Sequence, residues 1–212
     1  TAYNETCANI ANAMFNRRML ELKGESKYAD IMELVLYNSA LVGISTDGTH
    51  YFYANPLRMN HNARDYSDTE SAAREPYIDC FCCPPNLVRT IAKSAGWAYS
   101  LSDNGVSVNL YGGNKLSTTL KDGSAIRITQ KSDYPWNGEV TITVDECKDT
   151  PFELLLRIPD WADGTTLLVN GSDAEVDVTP GTFARIERAW KPGDVITLSM
   201  PLEIKLMEGH PR

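Results

Sequence analysis

The chain has 212 residues, enough for one large domain or two of ordinary size. With 42% hydrophobic residues and a formal charge of −8, it has the composition of a soluble globular protein and lacks the basic excess that binding to nucleic acid demands. No apolar run approaches the roughly 18 residues of a membrane-spanning helix, so neither nucleic acid nor membrane is expected as a partner.

The chain starts at Thr1, without an initiator Met or a signal peptide, and runs directly into helix-like sequence. The chain is accordingly expected to be a segment of something longer. Ile10, Ala11, Met14, Phe15, Met19 and Leu22 recur at three- and four-residue spacing before Gly24, which predicts an amphipathic helix with a glycine stop. A second helix is expected after Ser26, with Tyr28, Ile31, Met32, Val35 and Leu36 on one stripe and an end near Gly43. The aromatic run from His50 to Ala54 follows the Asp47-Gly48 turn and predicts a short strand. Residues 58–75 are polar and aperiodic, as in an irregular loop. Pro84 and Pro85 suit the first turn of a third helix, whose N–H groups are unpaired anyway, with Leu87, Val88, Ile91, Ala92 and Ala95 on its buried stripe.

Beyond Trp97 the pattern changes to short runs of strand character. Residues 106–111, 125–129, 140–144, 152–156, 166–169 and 195–198 are separated by Asp-Gly, Asn-Gly and Pro-Gly turns. The fold class expected is therefore α+β and multidomain, with helices over 1–96 and an antiparallel β-sandwich over 97–212.

Five cysteines cannot all pair internally, and Cys82 and Cys83 are adjacent, which strains any bridge between them. Both precede the predicted helix start, where unpaired N–H groups and the positive end of the helix dipole favour thiolates. Glu5-Thr6-Cys7 offers a carboxylate and a thiol at another helix start. Glu5, Cys7, Cys82 and Cys83 would together supply one oxygen and three sulfurs, a donor set that suits tetrahedral Zn²⁺. Two alternatives stand beside a metal site: small buried residues with no chemistry, and a redox pair of Cys82 and Cys83. Cys80 falls on the same side of an extended segment as Cys82. Glu75 reads as a surface carboxylate, and His50 as a loop histidine.

Glu5-Thr-Cys-Ala8, Ala54-Asn-Pro-Leu57 and Cys82-Cys-Pro-Pro-Asn86, in that order and followed by a β-rich half, resemble the β-L-arabinofuranosidases of glycoside hydrolase family 127. The resemblance covers nearly the whole chain. It implies that residues 1–96 are the last part of an (α/α)6 catalytic barrel and that 97–212 are a β-sandwich domain, cut short at its end. It implies zinc as cofactor, Glu5, Cys7, Cys82 and Cys83 as its ligands, and Cys82 as the nucleophile of a retaining glycosidase. Tyr53 matches a residue that contacts the sugar. The family takes its acid/base Glu from a position shortly before Glu-x-Cys, so this segment is expected to lack its proton donor and to be inactive alone. The partner implied is an arabinofuranoside or related glycan, with a homodimer as an allowed assembly. Retained thiols favour a reducing cytoplasm as the compartment. The alternative from another class is a noncatalytic β-sandwich module that binds carbohydrate or a partner domain, its cysteines structural.

Overall fold

The computed structural model describes residues 3–57, 70–206 and 208. They divide into two units, Thr1–Tyr99 and Ser100–Arg212.

In the first unit, helix α1 (Thr6–Lys23) packs on α2 (Ser26–Val35) and on α3 (Cys83–Ser94). Gly24 stops α1 in the left-handed conformation (φ 67°), which lets its N–H donate to the Leu20 carbonyl at 2.8 Å. After α2 the chain keeps coiling through a π turn (Leu36–Ala40) and a 3₁₀ turn (Leu41–Gly43), so the helical character predicted up to Gly43 is present in three forms. Ile10, Ala40 and Leu87 form a buried cluster against which Ile44 and Tyr51 pack. Because this cluster joins α1, the π turn and α3, Leu87→Ala is expected to destabilise the unit by roughly 2–5 kcal/mol. Thermal unfolding of the full-length protein followed by far-UV circular dichroism checks it.

Two expectations are corrected here. The apolar stripes of α1 and α3 are wider than the surface their partners in this unit cover. Ile10, Ala13 and Leu20 turn inward, whereas Met14, Phe15 and Leu22 are exposed; on α3, Leu87 is buried and Val88 and Ile91 are not. The aromatic run does not form a strand either. Tyr51 bridges Ile44 on one side and Glu75 on the other, and Ala54 bridges Glu5 and Glu70. Each residue spends its backbone groups on a different neighbour, so no consecutive pairs build a ladder. Of the predicted loop, residues 58–69 lie outside the described residues.

The second unit holds two sheets, with strand orders β1-β2-β6-β9 and β3-β4-β5-β10-β7-β8. The strands are β1 (Tyr99–Ser102), β2 (Gly105–Val108), β3 (Asn114–Thr119), β4 (Ala125–Ser132), β5 (Glu139–Glu146), β6 (Phe152–Ile158), β7 (Thr166–Val169), β8 (Ser172–Asp173), β9 (Thr182–Arg188) and β10 (Val195–Ser199). Period-two alternation sends Ile126 and Ile128 of β4, Val140, Ile142 and Val144 of β5, and Ile196 and Leu198 of β10 into the core. The other sheet contributes Val106, Val108, Phe152, Leu154 and Leu156. Two sheets burying one face each make the sandwich that the strand pattern predicts. The pairing is not wholly antiparallel: β2 runs parallel to β6, from Gly105 opposite Glu153 to Val108 opposite Leu156. A parallel neighbour needs a crossover, and the long excursion through β3, β4 and β5 supplies it. Arg157 is fully buried, its Nε donating to the Asn109 carbonyl at 2.6 Å while the Tyr111 hydroxyl donates to its own carbonyl. No helix among the described residues is long and apolar enough to cross a membrane.

Candidate metal and active site

Two helix starts and one irregular segment meet in the first unit. Glu5 occupies the N-cap of α1 in extended conformation and Cys7 follows in the first turn; Cys82 occupies the N-cap of α3, with Cys83 the first helical residue. The segment around Tyr53 holds the α1 start in place. Thr6 N–H donates to the Tyr53 carbonyl at 2.9 Å, the Thr6 hydroxyl donates to the buried Phe52 carbonyl at 2.9 Å, and Asn55 N–H donates to the Asn4 carbonyl at 2.9 Å. On the other side Cys83 Sγ lies 3.7 Å from the same Tyr53 carbonyl. One backbone segment therefore ties both helix starts together.

The structure brings all four predicted donors into one cluster. The ligand atoms of Glu5, Cys7, Cys82 and Cys83 lie within 4.8 Å of one another, with Cys83 buried and the others half-buried. Cys82 and Cys83 Sγ are 3.7 Å apart. A tetrahedral ion with Zn–S bonds of about 2.3 Å would hold its sulfurs about 3.8 Å apart, which matches this edge of the cluster. The electrostatics favour anionic ligands, because α1 and α3 both present their positive N-terminal ends to the cluster. Burial, with the thiols of Cys7 and Cys82 beside it, pushes the Cys83 thiol well above its ordinary range. A group so placed ionises only where a cation compensates. All five cysteines are free thiols.

Further contacts orient the donors. The Tyr3 hydroxyl donates to Glu5 Oε2 at 2.9 Å, and Asn86 Nδ2 donates to Cys7 Sγ at 3.0 Å. Neither Tyr3 nor Asn86 is singled out by sequence reasoning, although Asn86 closes the Cys-Cys-Pro-Pro-Asn motif and could have been found there. Tyr53 stands beside the cluster: the neighbouring Tyr3 hydroxyl, then burial and the charges of Glu5 and Cys82, push its phenol far up, so it remains a neutral donor. Tyr53 also lines a cavity of about 340 Å³ together with Tyr51, Glu70, Glu75, Asp79 and Cys80. Cys80 Sγ is 3.9 Å from Cys82 Sγ, so the cavity wall and the donor cluster adjoin. Glu75, expected only as a surface carboxylate, is exposed and also borders this cavity. His50 belongs to the preceding turn, its Nδ1 2.7 Å from the Thr49 hydroxyl. Cys147 lies in the other unit, 3.2 Å from the Trp190 carbonyl.

Residues 1–96 match the family model of the GH127 β-L-arabinofuranosidase catalytic domain, and residues 105–202 match that of the GH127 middle domain. The chain belongs to glycoside hydrolase family 127. A non-reducing end β-L-arabinofuranosidase of Bifidobacterium longum subsp. longum is 33% identical over 212 residues, covering 97% of this GH127 chain and 32% of the relative. Among solved structures, a glycoside hydrolase superposes with a TM-score of 0.94 at 46% identity, covering 100% of this chain and 35% of its own. A GH127 β-L-arabinofuranosidase from Geobacillus stearothermophilus T6 superposes with a TM-score of 0.92 at 38% identity, covering 99% and 33%. The chain thus spans about a third of the length of these relatives.

Proposed function

We propose that the full-length protein is a retaining β-L-arabinofuranosidase in which Cys82 is the nucleophile and Glu5, Cys7, Cys82 and Cys83 hold a zinc ion. The observation that carries this reading is the convergence of one carboxylate and three sulfurs within 4.8 Å, at two helix N-termini, beside a cavity lined by tyrosines. The names of its GH127 relatives support the substrate class. A bound zinc ion keeps thiolate ligands deprotonated at neutral pH.

In the first step Cys82 Sγ forms a bond to the anomeric carbon as the bond to the leaving oxygen breaks, and a general acid protonates that oxygen. In the second, the deprotonated acid residue takes a proton from water as the water oxygen attacks the same carbon, the C–S bond breaks, and the thiolate is released with the sugar configuration retained. Tyr53 binds the sugar as a hydrogen-bond donor, while Cys83 and Cys7 hold the cluster in shape. Glu5 is committed to that cluster, so the acid is a different residue. On the family resemblance it is a Glu outside these 212 residues, and the segment alone is expected to turn nothing over. Residues 1–96 are read as part of an (α/α)6 barrel on the same ground.

Metal analysis combined with thiol titration tests the site. The full-length protein is expected to carry about one zinc per chain, and Cys80, which is exposed, is expected to react with a thiol reagent at once. Adding a strong chelator should expose three more thiols, those of Cys7, Cys82 and Cys83. A metal-free protein whose thiols react equally with and without chelator would refute the site and favour a redox or purely structural role for the cysteines.

A further inference from the structure

Asn86 makes contacts that the proposed function leaves unused. It sits in the first turn of α3, where its N–H donates to the Cys82 carbonyl at 3.2 Å and its carbonyl accepts from the buried Thr90 hydroxyl at 2.8 Å. Its side chain leaves the helix and donates from Nδ2 to Cys7 Sγ, 79 residues away in sequence. Oδ1 accepts from Arg89 Nη2, one turn further along. The direction of the amide follows from donor chemistry: a guanidinium can only donate, so the oxygen faces Arg89 and the NH₂ group faces the sulfur. Asn86 is thereby held at both ends, and it connects the helix that carries Cys82 and Cys83 to the helix that carries Glu5 and Cys7.

We infer that Asn86, oriented by Arg89, is a positioning residue that fixes Cys7 Sγ toward the metal and takes up part of its thiolate charge. The inference rests on the proposed metal site and deepens it. One carboxylate and three thiolates would carry four negative charges against the two of a divalent cation. A donated N–H···S bond stabilises that excess, and the exposed Arg89 guanidinium polarises the donating amide from behind. Partners of this kind commonly set both the orientation and the donor strength of a ligand, and losing one typically weakens metal binding by about 10- to 100-fold.

The test uses the full-length protein loaded with Zn²⁺ or Co²⁺, with affinity measured by competition against a chromophoric chelator. Asn86→Asp preserves the shape but replaces the donor with a negatively charged acceptor. It is expected to weaken binding by about 10- to 100-fold and to shift the sulfur-to-Co²⁺ charge-transfer absorption to longer wavelength, because a thiolate without the hydrogen bond gives up charge more readily. Arg89→Ala, a change at an exposed side chain, should produce a smaller shift in the same direction, and Arg89→Lys, which still donates, should restore it. Circular dichroism of the metal-free variants separates these effects from misfolding, and the two Arg89 variants decide the matter if Asn86→Asp fails to fold. Wild-type protein that binds one ion while Asn86→Asp or Arg89→Ala binds it equally, with an unmoved band, overturns the inference alone. Wild-type protein that takes up no ion overturns the metal site and the inference with it.

Discussion

Replacing Cys82 with alanine in the full-length protein is expected to abolish turnover, lowering kcat/KM by roughly four orders of magnitude or more, as removal of a covalent nucleophile does. The family resemblance assigns the nucleophile to Cys82, and the contacts of the other donors agree with that assignment. Cys83 is buried and turned to the Tyr53 carbonyl, Cys7 accepts from Asn86, and Glu5 accepts from Tyr3. Cys82 Sγ instead lies between the sulfurs of Cys83 and Cys80, and Cys80 belongs to the cavity wall. On the proposed function, it is the donor that meets the cavity wall at Cys80. On the proposed metal site, any of the four substitutions would lower activity through the metal, so loss of activity alone does not distinguish a nucleophile from a ligand. Covalent trapping does. An arabinofuranoside with a good leaving group, rapidly quenched, should leave a pentosyl adduct on the peptide that contains Cys82, and the first product observed by NMR should retain the substrate's anomeric configuration. Near-normal turnover in Cys82→Ala, or an inverted product without adduct, would remove Cys82 from the reaction.

The four donors were legible in the sequence because each carries its own chemistry and sits at a helix start that local signals mark: Pro84 and Pro85 for α3, and the periodic run after Cys7 for α1. Their convergence was not legible from spacing, since 75 residues separate Cys7 from Cys82 and the link is a backbone segment, Phe52 to Asn55, whose carbonyls and amides carry no residue signature. The same limit explains the aromatic run. Tyr51-Phe52-Tyr53 has strand composition, yet its hydrogen bonds go to separate tertiary partners, which local pattern cannot reveal. In the sandwich, β4, β5 and β10 were visible from their alternation, and β6 from a short apolar run bounded by turn signals. Strand β9 was not, because only Ala184 and Ile186 face the core while Arg185, Glu187 and Arg188 face water. Asn86 escaped notice for a different reason: an amide in a first helical turn reads as a cap or a surface residue until a sulfur is found 3.0 Å away.

Gly138→Ala is expected to destabilise the second unit by about 3 kcal/mol, at the upper end of ordinary overpacking, and to lower its melting temperature by roughly 10 °C or more. The Asn137-Gly138 pair reads in the sequence as a turn signal, chosen for conformational freedom. The structure gives a different reason for the glycine. Gly138 directly precedes β5 and accepts from Met200 N–H at 3.0 Å, extending the β5 to β10 ladder by one pair. A Cβ on Gly138 would stand 1.8 Å from the Met200 carbonyl oxygen and 2.8 Å from its carbon. Those are backbone atoms of a buried residue directly after β10, beside the start of β5, so relief requires moving the end of β10 away from the start of β5 rather than turning a side chain. Gly123 provides the contrast. It has φ 88° with open space around it, so alanine there costs only conformational strain, about 1 kcal/mol. Hydrogen–deuterium exchange of the full-length protein should show faster exchange in β5 and β10 for Gly138→Ala and little change there for Gly123→Ala. Equal melting of the two variants would mean that close approach to Met200 does not dictate the glycine, and that the turn reading was sufficient after all.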